Sequence, residues 1–323
     1  MRCLTLAEAL AKKGWRCGFA VRNGTLDTIP ALARSLHEVW VIDCAEPAEP
    51  EQLAARWPDG VDWLIVDHYG RDAAFESACR PWARQVMVID DLADRAHDCD
   101  QLLDQTPDRR VEDYQGQVPS RCDLMVGTRF ALLRHEFKAW QHWQREITPE
   151  AHKLLVTMGI SDPGNVAAFL LESLANHLRR DLEVTVVVGP GNRHGETLAQ
   201  AAAQATFPIS LNHDPPDMPK LMAEADLAVS AGGSTCWELA FMGLPFAVMT
   251  LAANQTALAQ GLSKAGVAVN LGCYRETSAK KIAMEVADLC RDHDKRYAMS
   301  RCGRSLVDGE GVNRVLAVLE EHS

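Results

Sequence analysis

The sequence predicts an α/β protein with two domains, each built on a doubly wound parallel sheet. Its 323 residues exceed what one hydrophobic core usually organises. In both halves, short continuous apolar runs alternate with helical patterns, as expected for strands that are buried on both faces. Residues 135–151, which contain two tryptophans and Thr148-Pro149, interrupt this alternation. We therefore place the domain boundary near residue 145, which gives domains 1–145 and 146–323.

The first half begins with a helix instead of a strand. Leu4, Ala7 and Leu10 lie on one face of a helix over 2–11. Apolar runs predict strands over 17–21, 38–43, 63–68, 85–90 and 122–127, with helices over 28–35, 50–57 and 71–79. A doubly wound domain normally starts with a strand and a glycine turn. The first, central strand of this domain is therefore expected to be missing.

The second half repeats the alternation. Strands are predicted over 153–158, 184–189, 209–213, 226–230, 245–249 and 267–271. Helices are predicted over 166–178, 219–225, 239–242, 256–264, 278–291, 295–306 and 311–321. The last helix is expected to pack back on the first domain.

Composition excludes several classes of partner. A net charge of −11 and a pI near 5.5 argue against a surface for nucleic acid or anionic membrane. No apolar run approaches the roughly 18 residues of a membrane span, so we expect a cytoplasmic protein. The ten cysteines contain no C-x-x-C pair, which favours reduced thiols over a zinc site. We expect no metal, no cofactor and a monomer.

The most informative stretch is Ser230-Ala-Gly-Gly-Ser-Thr-Cys-Trp-Glu238. It joins a buried strand to a short helix through a glycine turn, an arrangement that offers backbone N–H groups and a helix dipole to an anion. Gly232, Gly233, Ser234 and Thr235 would form this turn, and Glu238 would accept hydrogen bonds from ribose hydroxyls. Thr235-x-x-Glu238 also fits a capping box, which needs no ligand.

Other polar residues follow predicted strands, where ligands of open α/β sheets bind. His68 and Tyr69 follow one strand and suit acid–base or sugar-contact roles, although a packed turn explains them too. Asp90 and Asp91 follow the next, but adjacent residues of an extended chain point to opposite faces, which favours a turn over a metal pair. The remaining candidates in the second half are Ser161, Asp162, His213, Asn254 and Gln255. Ser161 or Asp162 also suits a helix N-cap.

Two Rossmann-like halves with a nucleotide site in the second indicate a GT-B architecture with a cleft between the domains. The motifs that identify a family occur in order along nearly the whole chain: Met1-Arg-Cys-Leu-Thr-Leu-Ala7, Ile65-Val-Asp-His-Tyr-Gly70, Ile89-Asp-Asp-Leu-Ala-Asp94, His97-Asp-Cys-Asp100, Leu103-Asp-Gln105, Tyr114-x-Gly116, Ser161-Asp-Pro-Gly-Asn165, Ala231-Gly-Gly-Ser-Thr235, Trp237-Glu238, Gly243-Leu-Pro245 and Asn254-Gln255. With these motifs the chain resembles the PseG family. Its members are UDP-2,4-diacetamido-2,4,6-trideoxy-β-L-altropyranose hydrolases of pseudaminic acid biosynthesis, and they are related to MurG-type glycosyltransferases.

The resemblance implies a UDP-sugar hydrolase that inverts the anomeric carbon without a metal. The glycine turn would bind the pyrophosphate and Glu238 the ribose, while Asn254 and Gln255 would face phosphate or sugar. Tyr69 and His68 would line the sugar side. In the family, a Gly-x-Gly-His turn that carries the general-base histidine precedes the first helix, and Ile160 stands where a second glycine is usual. We therefore expect that Met1 is an internal methionine. If it is not, we expect UDP binding with little hydrolysis.

Two other functions remain open. One is a MurG-like glycosyltransferase, in which an acceptor hydroxyl replaces water, although the sequence lacks an evident membrane-docking patch for a lipid acceptor. The other is a UDP-sugar binding protein without catalytic activity, which only the missing histidine supports.

Overall fold

The computed structural model describes residues 1–175 and 181–321. Contacts among the described residues divide the chain into two compact units. The first comprises Met1–Leu26, Ala31–Leu132 and the described part of Glu310–Ser323. The second comprises Asp27–Pro30 and the described part of Leu133–Gly309.

The division after Leu132 differs from the boundary expected near residue 145. Residues between these positions pack with the second unit. The Arg145 guanidinium donates to the carbonyl oxygens of Ala225 (2.5 Å) and Met222, and the ring of Phe137 packs edge-on against Phe241. Because these partners are far apart in the sequence, no local sequence pattern reveals the contacts. The boundary predicted from the pattern at 135–151 therefore differs from the boundary that the contacts define.

The first 132 residues form α/β structure. The helices and strands are α1 (Arg2–Ala11), β1 (Gly18–Arg22), α2 (Thr25–Thr28), α3 (Pro30–Ala33), β2 (Glu38–Ile42), α4 (Glu49–Arg56), β3 (Val61–Val66), α5 (Ala73–Cys79), β4 (Ala83–Ile89), β5 (Gln101–Asp104) and β6 (Asp123–Val126). Strand β5 was not predicted, because it has only two apolar residues. The helix predicted over 28–35 is instead two short helices, since Pro30 starts a new one.

The described strands of the first unit form two separate parallel sheets. One has the order β1-β2, and the other has the order β3-β4-β5-β6. Strands β1 and β3 each pair with one other described strand, and most of their residues are half-buried or exposed. All residues of β5 are buried.

The second unit has one six-stranded parallel sheet. The helices and strands after residue 132 are β7 (Lys153–Thr157), α6 (Val166–Ala175), β8 (Glu183–Val188), α7 (Gly195–Gln204), β9 (Ile209–His213), α8 (Met218–Glu224), β10 (Leu227–Ala231), α9 (Thr235–Phe241), β11 (Phe246–Thr250), α10 (Thr256–Lys264), β12 (Ala268–Cys273), α11 (Ala279–Arg291), α12 (His293–Leu306) and α13 (Gly311–Glu321). The predicted end of α6 at residue 178 lies outside the described residues, and α7 was not predicted.

The hydrophobic cores follow the two units. In the second unit, β7, β8, β10 and β11 pack against α6 and α11, and Leu154, Val229 and Met249 belong to this core. In the first unit, Leu6 and Leu10 of α1 pack with Val315 and Leu319 of α13 over the sheet. The last helix therefore packs on the first unit, as predicted. No helix in the described part of the chain is long and apolar enough to cross a bilayer.

Candidate functional site: the carboxyl edges of the two sheets

The strand order of the second sheet defines a place where ligands bind in such folds. The order is β12-β11-β10-β7-β8-β9, so the chain runs outward from β7 through β9 and then returns to β10 on the other side of β7. Thr157 of β7 pairs with Ser230 of β10, and the loops that follow these strands therefore start side by side. Ligands of doubly wound sheets bind beyond the carboxyl ends at this switch point.

The glycine turn lies at this switch point. Gly232 is buried, and a Cβ atom placed on it would lie 3.0 Å from Cβ of Gln255. Gly233 is half-buried, and a Cβ atom placed on it would meet nothing within 4 Å. The turn thus packs against the loop after β11 at Gly232 and has open space beside Gly233.

The helix after the turn starts without a side-chain cap. Ser234 is the N-cap residue of α9, and its exposed side chain makes no capping hydrogen bond. Glu238 reaches no backbone N–H of the first turn but binds a guanidinium instead. The capping-box interpretation of Thr235 and Glu238 is therefore wrong. Without such a cap, the N-terminal N–H groups of a helix favour an anion.

Glu238 is held in an ion pair that the sequence did not reveal. Its Oε1 accepts from Nε of Arg134 at 2.6 Å and its Oε2 from Nη2 at 2.9 Å, in a two-point geometry. The Glu238 side chain is 8% exposed and that of Arg134 is 24% exposed. Arg134 also contacts Glu136 at 2.8 Å. Two lone pairs of the Glu238 carboxylate remain for other donors, because a carboxylate has about four acceptor positions.

The loop after β11 is held by a hydrogen bond to the side chain of Gln255, one of the two predicted amide residues. Asn254 and Gln255 lie in a short 3-10 helix over Ala253–Gln255, and both are half-buried. Oε1 of Gln255 accepts the backbone N–H of Leu251 at 2.9 Å, which leaves its Nε2 as a donor group. Since Gln255 also contacts Gly232, the structure brings this predicted residue next to the glycine turn.

The loop after β7 is organised by Asp162. This residue is 2% exposed, and its carboxylate accepts the N–H groups of Val166 (2.7 Å) and Ala167 (2.9 Å) at the start of α6. Asp162, and not Ser161, is thus the residue that caps α6. Its carboxylate already has two donors, so capping accounts for its presence without a ligand.

His213 does not lie with the other candidates. It ends β9, the edge strand, and two strands separate β9 from β10 in the sheet order. At about 4.8 Å per strand, His213 is about 14 Å from the strand that leads into the glycine turn. The sheet therefore places it away from the switch point.

A second polar cluster lies at the carboxyl ends of β3 and β4 in the first unit. The Arg2 guanidinium donates to both carboxylate oxygens of Asp67, at 3.0 and 2.7 Å, and to Oδ2 of Asp91 at 3.3 Å. The hydroxyl of Tyr69 donates to the same Asp91 oxygen at 3.1 Å. Burial raises the pKa of Asp91 above its usual range, although Arg2 and Tyr69 favour its ionised form. Tyr69 is 50% exposed, so its ring remains accessible while its hydroxyl is oriented.

His68 is exposed, and its ring is tied to the backbone. Nδ1 accepts the N–H of Gly70 at 3.0 Å, which fixes the neutral imidazole as the tautomer with a proton on Nε2. Burial and the nearby Arg71 charge lower the pKa of His68. In this geometry His68 offers a donor to a ligand, and its one lone pair is already used. The arrangement supports a sugar contact more than a general base.

Asp90 and Asp91 point to different partners, as their adjacency predicts. Asp90 accepts the N–H of Ala93 at 2.8 Å, which is the expected turn role, and the hydroxyl of Tyr114 at 2.9 Å. Asp91 contacts Arg2 and Tyr69 instead. Among the described residues, no group of three or more His, Cys, Asp or Glu side chains is placed to hold a metal ion.

Sequence reasoning missed three residues of these clusters: Arg2, Asp91 as a partner of Tyr69, and Arg134. Their partners are 22 to 104 positions away in the sequence. No periodicity or spacing links such residues. The position of Asp91 directly after an apolar run is the one local signal that pointed to the site.

A known protein family matches the sequence of the second unit. Residues 154–310 match the glycosyltransferase family 28 C-terminal domain. The matched region contains β7 to α12, and with them the glycine turn, Glu238 and the Asn254-Gln255 loop.

Two relatives match in sequence. The UDP-2,4-diacetamido-2,4,6-trideoxy-β-L-altropyranose hydrolase of Campylobacter jejuni is 24% identical over 269 residues, which are 83% of this chain and 92% of the hydrolase. The predicted resemblance is thereby confirmed. The spore coat polysaccharide biosynthesis protein SpsG of Bacillus subtilis is 25% identical over 225 residues, which are 67% of this chain and 66% of SpsG.

A solved structure confirms the fold class. MurG from Acinetobacter baumannii superposes with a TM-score of 0.67 at 15% identity, over 99% of this chain and 95% of MurG. At this identity the likeness concerns the fold alone. It agrees with the GT-B class predicted from two Rossmann-like halves.

Proposed function

We propose that the protein is a hydrolase of a UDP-activated diacetamido sugar and that it cleaves the anomeric C–O bond to release UDP and the free sugar. The observation that carries the proposal is the open space beside Gly233 at the switch point of a sheet that matches the glycosyltransferase family 28 C-terminal domain. The name of the Campylobacter jejuni relative supports the choice of substrate and reaction.

In this proposal the second unit binds the leaving group. The N–H groups of Gly232 and Gly233 already donate to backbone carbonyl oxygens. The N–H groups of Ser234 and Thr235 at the start of α9 therefore receive the pyrophosphate, where they stabilise the negative charge that develops as the C–O bond breaks. The ribose hydroxyls donate to the free lone pairs of Glu238, and Arg134 orients this carboxylate. The side-chain amides of Asn254 and Gln255 contact phosphate or sugar.

The first unit supplies the sugar contacts. Tyr69, oriented through Asp91, and the Nε2–H group of His68 line the sugar side. The water that attacks C1 from the face opposite UDP needs a positioned base. The resemblance assigns that role to a histidine in the Gly-x-Gly-His turn of the family.

The test is an incubation of the purified protein with the UDP-sugar and no acceptor. The proposal predicts stoichiometric release of UDP and of reducing sugar, with the α/β configuration at C1 inverted at early times. UDP release that requires an added acceptor would instead assign a glycosyltransferase. Tight UDP binding without release of sugar would leave a binding protein.

A further inference from the structure

We infer that Cys99 and Cys122 form a thiol pair that a peroxide oxidises to an intramolecular disulfide, with Cys122 as the sulfur that reacts first. This inference does not depend on the UDP-sugar site. Both residues belong to the first unit, and all ten cysteines of the described chain are free thiols in the structure.

The fold brings the two sulfurs together. Their Sγ atoms are 3.6 Å apart. Cys99 lies just before β5 and Cys122 directly before β6, and these strands are neighbours in the sheet. The backbone is already paired at this point, because the N–H of Asp123 donates to the carbonyl oxygen of Asp100 at 2.9 Å.

A disulfide requires a small further approach. Its S–S bond is about 2.05 Å long, so the sulfurs must close by about 1.6 Å. Rotation about the two Cα–Cβ bonds can supply such a movement without moving the strands. The crosslink would join the residues that lead into two neighbouring strands.

The environments of the two thiols are unequal. Cys99 is fully buried, whereas Cys122 is partly exposed and therefore reachable from solvent. A hydrogen bond with Cys122 and burial raise the pKa of the Cys99 thiol well above its usual value. Cys99 thus keeps its proton, and the more exposed Cys122 is the sulfur that a peroxide reaches first, as the thiolate that is the reactive form.

The chemistry has two steps. The Cys122 thiolate attacks one oxygen of a peroxide, the O–O bond breaks, and the products are Cys122 sulfenic acid and hydroxide or alkoxide. The Cys99 sulfur then attacks the Cys122 sulfur, the S–O bond breaks, and the thiol proton leaves with the hydroxyl group as water. Two thiols are oxidised by two electrons, and one peroxide is reduced.

The crosslink would enclose a loop with a buried polar network. Between the two cysteines, the hydroxyl of Tyr114 contacts Oδ2 of Asp104 at 2.7 Å, and Tyr114 is fully buried. Closing this loop restricts the unfolded chain, so oxidation is expected to raise the midpoint of thermal unfolding. A thiol reductant should return the midpoint to its starting value.

The test treats the reduced, folded 323-residue protein with a limiting amount of hydrogen peroxide and identifies crosslinked peptides by mass spectrometry. We expect a Cys99–Cys122 peptide, lighter by two hydrogens than the reduced pair, at a higher yield than any other cysteine pair. In Cys99→Ala the resolving thiol is gone, so a dimedone adduct should accumulate on Cys122, at least tenfold above the wild-type level.

Cys302→Ser is the matched control, because Cys302 is a partly exposed cysteine of the other unit. This variant should form the Cys99–Cys122 crosslink at the wild-type yield. The inference is overturned if the folded wild-type protein yields no Cys99–Cys122 peptide while other cysteines are oxidised. It is also overturned if dimedone labels Cys122 no more in a folded Cys99→Ala than in the wild type.

Discussion

At the scale of single residues, the two glycines of the turn have different reasons to lack a side chain. Neither glycine has a positive φ, so the backbone conformation does not require glycine at these two positions. A methyl group on Gly232 would be forced against Gln255, and one on Gly233 would project into open space. The first glycine therefore permits close packing, and the second keeps the backbone open to a ligand.

Substitution of each glycine by alanine separates these roles. Gly232→Ala should lower the free energy of unfolding by about 1–3 kcal/mol, because the loop after β11 must shift. Gly233→Ala should change it by less than about 0.5 kcal/mol but weaken UDP binding at least about tenfold, or about 1.4 kcal/mol. Urea unfolding and calorimetry measure the two effects. Unchanged UDP affinity in Gly233→Ala would contradict the proposed phosphate position.

The Arg134–Glu238 ion pair predicts a coupled loss of stability and binding. Glu238→Gln keeps the shape but leaves the partly buried Arg134 without its main counter-charge, so the free energy of unfolding should fall by about 1–3 kcal/mol. UDP binding should weaken about tenfold. Glu136→Gln, which alters the more exposed partner of the same arginine, should cost less than about 1 kcal/mol and leave UDP affinity unchanged. Equal effects of the two substitutions would argue against a ribose role for Glu238.

At the scale of elements, the role of Asp162 distinguishes a structural loop after β7 from a loop that contacts the ligand. Its carboxylate caps α6 through two backbone N–H groups. Asp162→Ala should therefore destabilise the protein by about 0.5–2 kcal/mol. The affinity for UDP should stay within about twofold of the wild type, as calorimetry can establish. A tenfold loss of affinity in a folded Asp162→Ala would return Asp162 to the ligand-binding set.

The turn between β4 and β5 predicts a loss of stability in acid. Burial alone would raise the pKa of Asp90, but the Ala93 N–H, the Arg95 charge and the Tyr114 hydroxyl outweigh it and lower that pKa. The unfolded chain then binds more protons than the folded one. The stabilisation is complete above the unfolded pKa of about 3.9 and is lost as pH falls toward the folded pKa.

Urea midpoints measured between pH 7 and pH 2 test this linkage. The midpoint of the wild type should fall steeply below about pH 4. Asp90→Asn should have a lower midpoint at pH 7 and a smaller further loss in acid. The exposed Asp62→Asn is the control and should follow the wild type, because its side chain is 69% exposed. An equally steep acid loss in Asp90→Asn would show that other carboxylates carry the effect.

The helices and strands also show which parts of the fold and of the candidate site could be predicted from the sequence. Helices α1, α10 and α13 have the predicted bounds, because their apolar faces repeat over nine or more residues. Strand β5 was missed, since its pairing with β4 and β6 and not its composition makes it a strand. The glycine turn was predicted because it directly follows a buried strand, and Gln255 because its loop follows another. Arg134 and Arg2 were not, because their partners are close only in the folded chain.

At the scale of the whole molecule, the net charge limits how the protein can attract UDP. The chain carries a net charge of −11, which repels an anionic nucleotide at long range. Binding must then come from short-range contacts with N–H groups, amides and Glu238. Such contacts are screened little by salt, so UDP affinity should depend only weakly on ionic strength.

Calorimetric titration of the protein with UDP tests the central claim most directly. The account predicts saturable binding of one UDP per chain, with a dissociation constant of about 1 μM to 1 mM, and little or no binding of ADP. It also predicts that the heat of UDP binding disappears or weakens at least about tenfold in Gly233→Ala. Absence of UDP binding by the folded wild-type protein at millimolar UDP, or equal binding by Gly233→Ala, would contradict it.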